Sequence, residues 1–214
     1  MKNNKIQTRK SIRLKYYDYS QAGMYFVTVC VDKHKSVFGS INNGKMALND
    51  VGNMVEKWWK KLPAKFNNIG NDIYIIMPNH IHGIISIVGA DPCVCPDIVG
   101  ADPCVCPDIV GADPCVCPDS KKGEHTGSPL HKIIQWFKTM STNEYIRNVK
   151  NAGWPPFDKK FWQRNFYEHI IRNEKELESI YDYIQNNPNR WEFDRENPDG
   201  KPDDTERDFW NDFL

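Results

Sequence analysis

His80 and His82 stand two residues apart in the stretch MPNHIHGII (77–85). Side chains alternate along an extended strand, so both imidazoles would share one face and Ile81 the other. Two neutral imidazoles on one face can hold a divalent cation and leave its other positions open to substrate. The spacing by itself equally describes two half-exposed strand histidines. Far downstream, Tyr183 and Asn187 are four residues apart. On a helical wheel with Leu177 at zero, Ile180, Tyr181 and Ile184 fall within ~60° of it and form the expected apolar face. Tyr183 then lies at ~240°, with Asn187 about 40° from it. The two would share a polar flank, from which a phenol can reach a substrate and an amide oxygen can complete a metal site. An ordinary surface tyrosine and a helix-ending asparagine before Pro188 fit the same pattern.

Six of the seven cysteines lie in an 11-residue unit, VGADPCVCPDI, which starts at Val88, Val99 and Val110 and ends differently only at Ser120. Its C-x-C pairs (Cys93/Cys95, Cys104/Cys106 and Cys115/Cys117) raise the possibility of a soft-metal site. They depart, however, from the C-x₂₋₄-C spacing of structural zinc. Two prolines and two aspartates per unit argue against a packed core, and near-identity of the copies points to a recent tandem insertion. A disulfide framework needs an oxidising compartment, of which the sequence gives no sign.

The elements that must position these groups follow from hydrophobic period. Met24–Val31 (MYFVTVCV) reads as a strand, and Ser36–Ile41 as a second one ending at the Asn42–Gly44 turn. Val51, Met54, Val55, Trp58, Trp59 and Leu62 mark an amphipathic helix that Pro63 closes. Asp72–Met77 and His80–Val88 read as strands. Ser128-Pro129 opens a helix over 128–148 through Leu130, Ile133, Ile134 and Phe137. Residues 154–166 read as an aromatic loop. Asn173 with Glu176 caps the last helix, which carries Tyr183. This order predicts an α+β fold, an antiparallel sheet with helices packed on it.

Of 214 residues, 40% are apolar and 26% charged, which is globular composition. No apolar run approaches the ~18 residues of a membrane span. The start MKNNKIQTRK lacks an apolar signal core, so a cytoplasmic chain is expected. The formal charge of zero hides a division: residues 1–87 carry +8, 88–120 carry −6, 121–188 carry +3 and 189–214 carry −5. The first 15 residues hold six basic side chains and no acid, an arm suited to a polyanion such as nucleic acid or simply to solvent.

Taken together, RKSIRLKYYDYSQAGMYFVTVCV (9–31), IYIIMPNHIHGII (73–85), WQRNFYEHIIRNEKEL (162–177) and YDYIQNNP (181–188) resemble the REP-associated tyrosine transposases, within the HUH single-strand nuclease superfamily. The resemblance spans most of residues 9–190. It implies a ferredoxin-like α+β fold, Mg²⁺ or Mn²⁺ as cofactor, and cleavage of single-stranded DNA near hairpins. It further implies His80 and His82 as metal ligands, Asn187 as a third, and Tyr183 as the nucleophile. The chain would be a monomer or homodimer. Residues 1–190 would form the catalytic domain, with the repeat inserted at 88–120 directly after the metal-bearing strand, and 191–214 an acidic tail. Arg9, Lys10, Arg13 and Lys15 are then expected on DNA phosphates. Lys132, Lys138, Trp162, Arg164, His169 and Arg172 are expected to hold the backbone or stack bases; packing under the last helix is the competing account of Trp162. A descendant that binds hairpin DNA without cutting it, or a metal binder centred on the repeats, are the alternatives.

Overall fold

A computed structural model describes residues 22–88 and 129–213. The elements in chain order are β1 (Gly23–Cys30), β2 (Gly39–Asn42), β3 (Lys45–Leu48), α1 (Asp50–Lys60), α2 (Leu62–Lys65), β4 (Ile69–Gly70), β5 (Tyr74–Ile76), β6 (His80–Ile87), α3 (Pro129–Asn151), β7 (Tyr167–Ile171), α4 (Glu174–Asn186) and α5 (Asp204–Phe213). Short 3₁₀ segments occupy Asp32–His34 and Asn187–Phe193. The main sheet runs β4-β6-β1-β7, with β5 beside β4 along the same edge of β6, and every pairing is antiparallel. Strand–helix–strand–strand–helix–strand order with β1 central is the ferredoxin-like α+β arrangement.

Alternation along β1 and β6 gives the sheet two different faces. Tyr25, Val27, Val29, Ile81 and Ile85 point to one side, into a core with Val55, Trp59, Leu62 and Phe137 of the α1–α2 segment and α3. Gly83 shares that side because Trp59 leaves no room: a Cβ there would stand 2.5 Å from the indole. Phe26 and Ile84 point to the other side, onto Ile180 and Ile184 of α4 and Trp210 of α5. Thr28, Cys30, His80 and His82 share this second face, since Thr28 pairs with His82 and Cys30 with His80. Each face therefore has its own cover, and the polar residues sit under α4 and α5.

The differences from the sequence reading have local causes. The strand expected at 36–41 is Gly39–Asn42, hairpinned to β3, which period alone did not mark. Asn43 and Gly44 supply the positive φ values (51° and 69°) that a tight two-residue hairpin turn requires. Pro63 does not only end α1; it lies in the first turn of the short α2. β7 (YEHII) falls within a stretch read as aromatic and basic, yet pairs with β1 over five residues. Helix α3 continues to Asn151, three residues past its expected end. Its expected cap Ser128, the repeat cysteines, and Arg9, Lys10, Arg13 and Lys15 lie outside the described residues.

Candidate active site

His80 and His82 are completely buried, on one face of β6 as period two requires. Their ring centroids are 4.3 Å apart. Asn79 donates through Nδ2 to the carbonyls of Glu196 (2.7 Å) and His34 (3.0 Å). Its Oδ1 is thereby left to accept from His80 Nδ1 at 2.8 Å. The His80 proton thus sits on Nδ1, and Nε2 carries a lone pair. Thr28 Oγ1 lies 2.8 Å from His82 Nδ1 and can orient that ring in the same way. An outer hydrogen bond of this type is the usual support of a metal-binding imidazole. Burial, then the neighbouring His82, lowers the His80 pKa to about 3, so the ring is neutral and available as a ligand.

The third group brought to the imidazoles is Asp194. Its Oδ2 lies 3.6 Å from His80 Nε2 and 3.9 Å from His82 Nε2. Its Oδ1 accepts from the Glu196 backbone N–H at 2.6 Å. Burial opposes the charge, but His80, His82 and that N–H hold the carboxyl well below the carboxylate range. His80 Nε2, His82 Nε2, Asp194 Oδ2 and Asn187 Oδ1 are all buried without a hydrogen-bond partner among the described residues. Buried polar atoms are rarely left so. Two imidazole nitrogens and one carboxylate oxygen facing each other form a donor set that fits a divalent cation. Asn187, the expected third ligand, is buried at the end of α4 with its oxygen likewise unpartnered. Asp194 was not singled out from the sequence, because it is one of nine acids among residues 189–214.

Tyr183 reaches the same place, by a turn of α4 different from the expected one. Tyr181, assigned to the apolar face, is 45% exposed, whereas Tyr183 packs with Ile180, Ile184 and Leu177. The buried arc is rotated by about 60° from the Leu177-centred wheel, because the Tyr183 ring finds aromatic partners in the sheet and α5. Its centroid is 5.2 Å from that of His82, and Phe209 stacks on it at 3.8 Å. The phenol donates to Glu206 Oε1 at 3.0 Å. Trp210 Nε1 and the Arg195 N–H donate to the same oxygen at 2.8 and 3.2 Å. Burial, then the charges of Asp194 and Glu206, push the phenol well above its usual range. Burial also raises the Glu206 carboxyl. A phenol held protonated against a proton-accepting carboxylate is a pair suited to general-base activation. The segment expected as an acidic tail, 191–214, described to residue 213, thus brings Asp194, Glu206, Phe209 and Trp210 to the site.

The residues expected on DNA separate into two groups. Lys132, Arg164 and Arg172 are exposed. Lys138 instead donates to the carbonyls of Gln163 and Asn165 at 3.0 Å each, and burial lowers its pKa to about 8. Trp162 is buried against Phe38, Phe137 and Phe161 and donates to Ser141 Oγ at 2.9 Å, so its ring is core and not a stacking platform. His169 is buried on β7, 3.3 Å from Glu176 at the start of α4. Aromatic and basic side chains in a short segment look alike in sequence whether they face solvent or close a core, so only the fold shows that these three are tied into it.

No helix among the described residues is long and apolar enough to cross a membrane. No protein-family model matches the chain. Among solved structures, a REP-associated tyrosine transposase bound to a REP hairpin aligns with a TM-score of 0.49 at 16% identity, over 84% of this chain and 74% of that one. A transposase-like protein of Deinococcus radiodurans R1 aligns with a TM-score of 0.41 at 11% identity, over 81% and 97%. At the level of sequence, an uncharacterized protein of Haemophilus influenzae (strain ATCC 51907 / DSM 11121 / KW20 / Rd) is 40% identical over 193 residues, 90% of this chain and 95% of its own length. Identity of that extent makes the chain a member of the same family as the Haemophilus influenzae protein.

Proposed function

We propose that this chain is a metal-dependent transposase or endonuclease that cuts and rejoins single-stranded DNA near hairpins, with Tyr183 as nucleophile. The observation that carries the reading is the convergence of His80, His82 and Asp194 beside the Tyr183 ring, on groups a hundred residues apart. The sequence motifs quoted above supply the substrate class. His80, His82 and Asp194 would hold Mg²⁺ or Mn²⁺, and Asn187 is a further oxygen for it; imidazole ligands tilt the preference toward Mn²⁺. Such a cation, when bound, offsets the charge that develops on the phosphate.

The chain's own residues then have defined tasks. Tyr183 Oη attacks the scissile phosphorus, a P–Oη bond forms, and the bond to the 3′ oxygen breaks. The product is a 5′-phosphotyrosine and a free 3′-OH, and the phosphotyrosine keeps the energy needed for rejoining. Glu206 accepts the phenolic proton across the existing 3.0 Å hydrogen bond, and the departing 3′ oxygen takes a proton from solvent. His80, His82 and Asp194 are each 0% exposed. A phosphate can therefore reach the imidazoles only after the residues packed over them give way.

That closed arrangement is also what a binding protein without cleavage activity would retain, and one assay separates the two. A single-stranded hairpin DNA incubated with Mn²⁺ is expected to give a covalent adduct that survives denaturing electrophoresis. Tyr183→Phe is expected to lose the adduct and keep DNA binding. Persistence of the adduct would move the nucleophile to Tyr167 or Tyr181. Absence of any adduct from the unaltered chain, with binding intact, would establish the non-cleaving alternative.

A further inference from the structure

A second group of unlike ligands lies beside the first. Cys30, at the end of β1, places Sγ 3.4 Å from Glu196 Oε2. His34, in the 3₁₀ turn that follows, places Nδ1 3.3 Å from the same oxygen. All three ligand atoms lie within 4.8 Å of one another. Apart from its ion-pair contact with Glu196, the buried His34 Nδ1 has no hydrogen-bond partner among the described residues. From these residues we propose a second metal centre, Cys30–His34–Glu196, for a borderline-soft divalent transition ion such as Zn²⁺.

Two of the three ligand–ligand distances are ones such an ion would keep. With Zn–N and Zn–O near ~2.0 Å and Zn–S near ~2.3 Å, a tetrahedron sets N···O at about 3.3 Å and S···O at about 3.5 Å. The observed contacts are 3.3 and 3.4 Å. The donor set of one thiolate, one imidazole and one carboxylate is soft enough to prefer Zn²⁺ to the hard Mg²⁺. On the far side of the His34 ring, Nε2 meets the Gln163 amide at 2.8 Å. The amide nitrogen faces the ring there, so Nε2 accepts and Nδ1 carries the proton toward Glu196. Binding an ion at Nδ1 requires that proton to move to Nε2, with the Gln163 amide turned so that its oxygen accepts it. Burial, then the Glu196 carboxylate, keeps the Cys30 thiol protonated. The cation would replace that proton, which leaves to solvent as the S–metal bond forms.

The two centres are joined. Asn79 accepts from His80 Nδ1 and donates to the carbonyls of both His34 and Glu196. Glu196 lies two residues beyond Asp194. An ion at the second centre would therefore fix the segment that carries the carboxylate of the first.

The test uses Co²⁺ alone as probe on the full chain, stripped of metal. Serine replaces the six repeat cysteines, Cys93, Cys95, Cys104, Cys106, Cys115 and Cys117, so that Cys30 is the only thiol. A thiolate-to-cobalt charge-transfer band is expected, abolished by Cys30→Ser. The affinity behind it should fall at least tenfold in His34→Ala and, should that variant misfold, in Glu196→Gln. In His82→Asn, which alters only the first centre, the band should persist. No band from a chain folded by circular dichroism, a band that survives Cys30→Ser, or a band lost in His82→Asn would overturn the proposal. None of these outcomes depends on DNA cleavage.

Discussion

His80 is an imidazole buried as the neutral form, and this has a cost that depends on pH. Its pKa is about 3 in the folded chain against an ordinary 6.5. Between those values the unfolded chain binds a proton that the folded chain does not, so stability falls as pH drops through that window. For the metal-free protein the loss from pH 7 to pH 5 should be on the order of 2 kcal/mol from this ring alone. Urea unfolding with a chelator at the two pH values measures it, and His80→Asn should flatten the dependence. An unchanged slope in that variant would place the proton uptake elsewhere. At this scale the histidine pair was legible, because a strand's period of two puts i and i+2 on one face whatever surrounds them. Asp194 and Glu206 were not. A carboxylate in an acidic segment looks the same whether it is solvated or turned onto an imidazole, and only the path of the chain decides which.

Helix α4 carries Tyr183, and its N-terminus is built as the sequence indicated. Asn173 Oδ1 accepts from the Glu176 N–H at 2.9 Å, and Glu176 reaches back to the Arg172 N–H at 3.0 Å. Asn173→Ala should cost about 1 kcal/mol, seen as a lowered denaturation midpoint. A shift indistinguishable from zero would mean that Ile180 and Ile184 alone hold the helix. The cap was readable because it is a contact between near neighbours. The rotation of the helix was not: Tyr181 and Tyr183 are equally good apolar side chains, and the choice between them was made by His82, Phe209 and Glu206, which lie far off in sequence. The short strands β3 and β7 were missed for a related reason, as their few residues take their pairing from β2 and β1 rather than from a period of their own.

Across the whole molecule, the sheet separates a structural face under α1 and α3 from a polar one under α4 and α5. The fold class was legible because element order and long hydrophobic periods determine it. The boundary at residue 190 was drawn by charge, and charge does not distinguish an appendage from a cover; Trp210 packs on Phe26 and Phe209 on Tyr183, while Asp208, Asn211 and Asp212 stay exposed. The repeat follows β6 directly, where Val88 N donates to the Asn68 carbonyl at 2.8 Å. Deleting 89–120 leaves that contact and every described strand pairing in place, and should change unfolding free energy by no more than about 0.5 kcal/mol. A large loss in the deleted chain would make the repeat part of the fold. The alignment of β1 with β6 has one more consequence. Cys30 faces His80 and Thr28 faces His82 across the same two strands. Sliding either strand by a single position would turn its own two of these four side chains toward Trp59 and Phe137. The two proposed cation sites therefore depend on one interstrand alignment: a slip of β6 would take both imidazoles from the first, and a slip of β1 would take the thiol from the second.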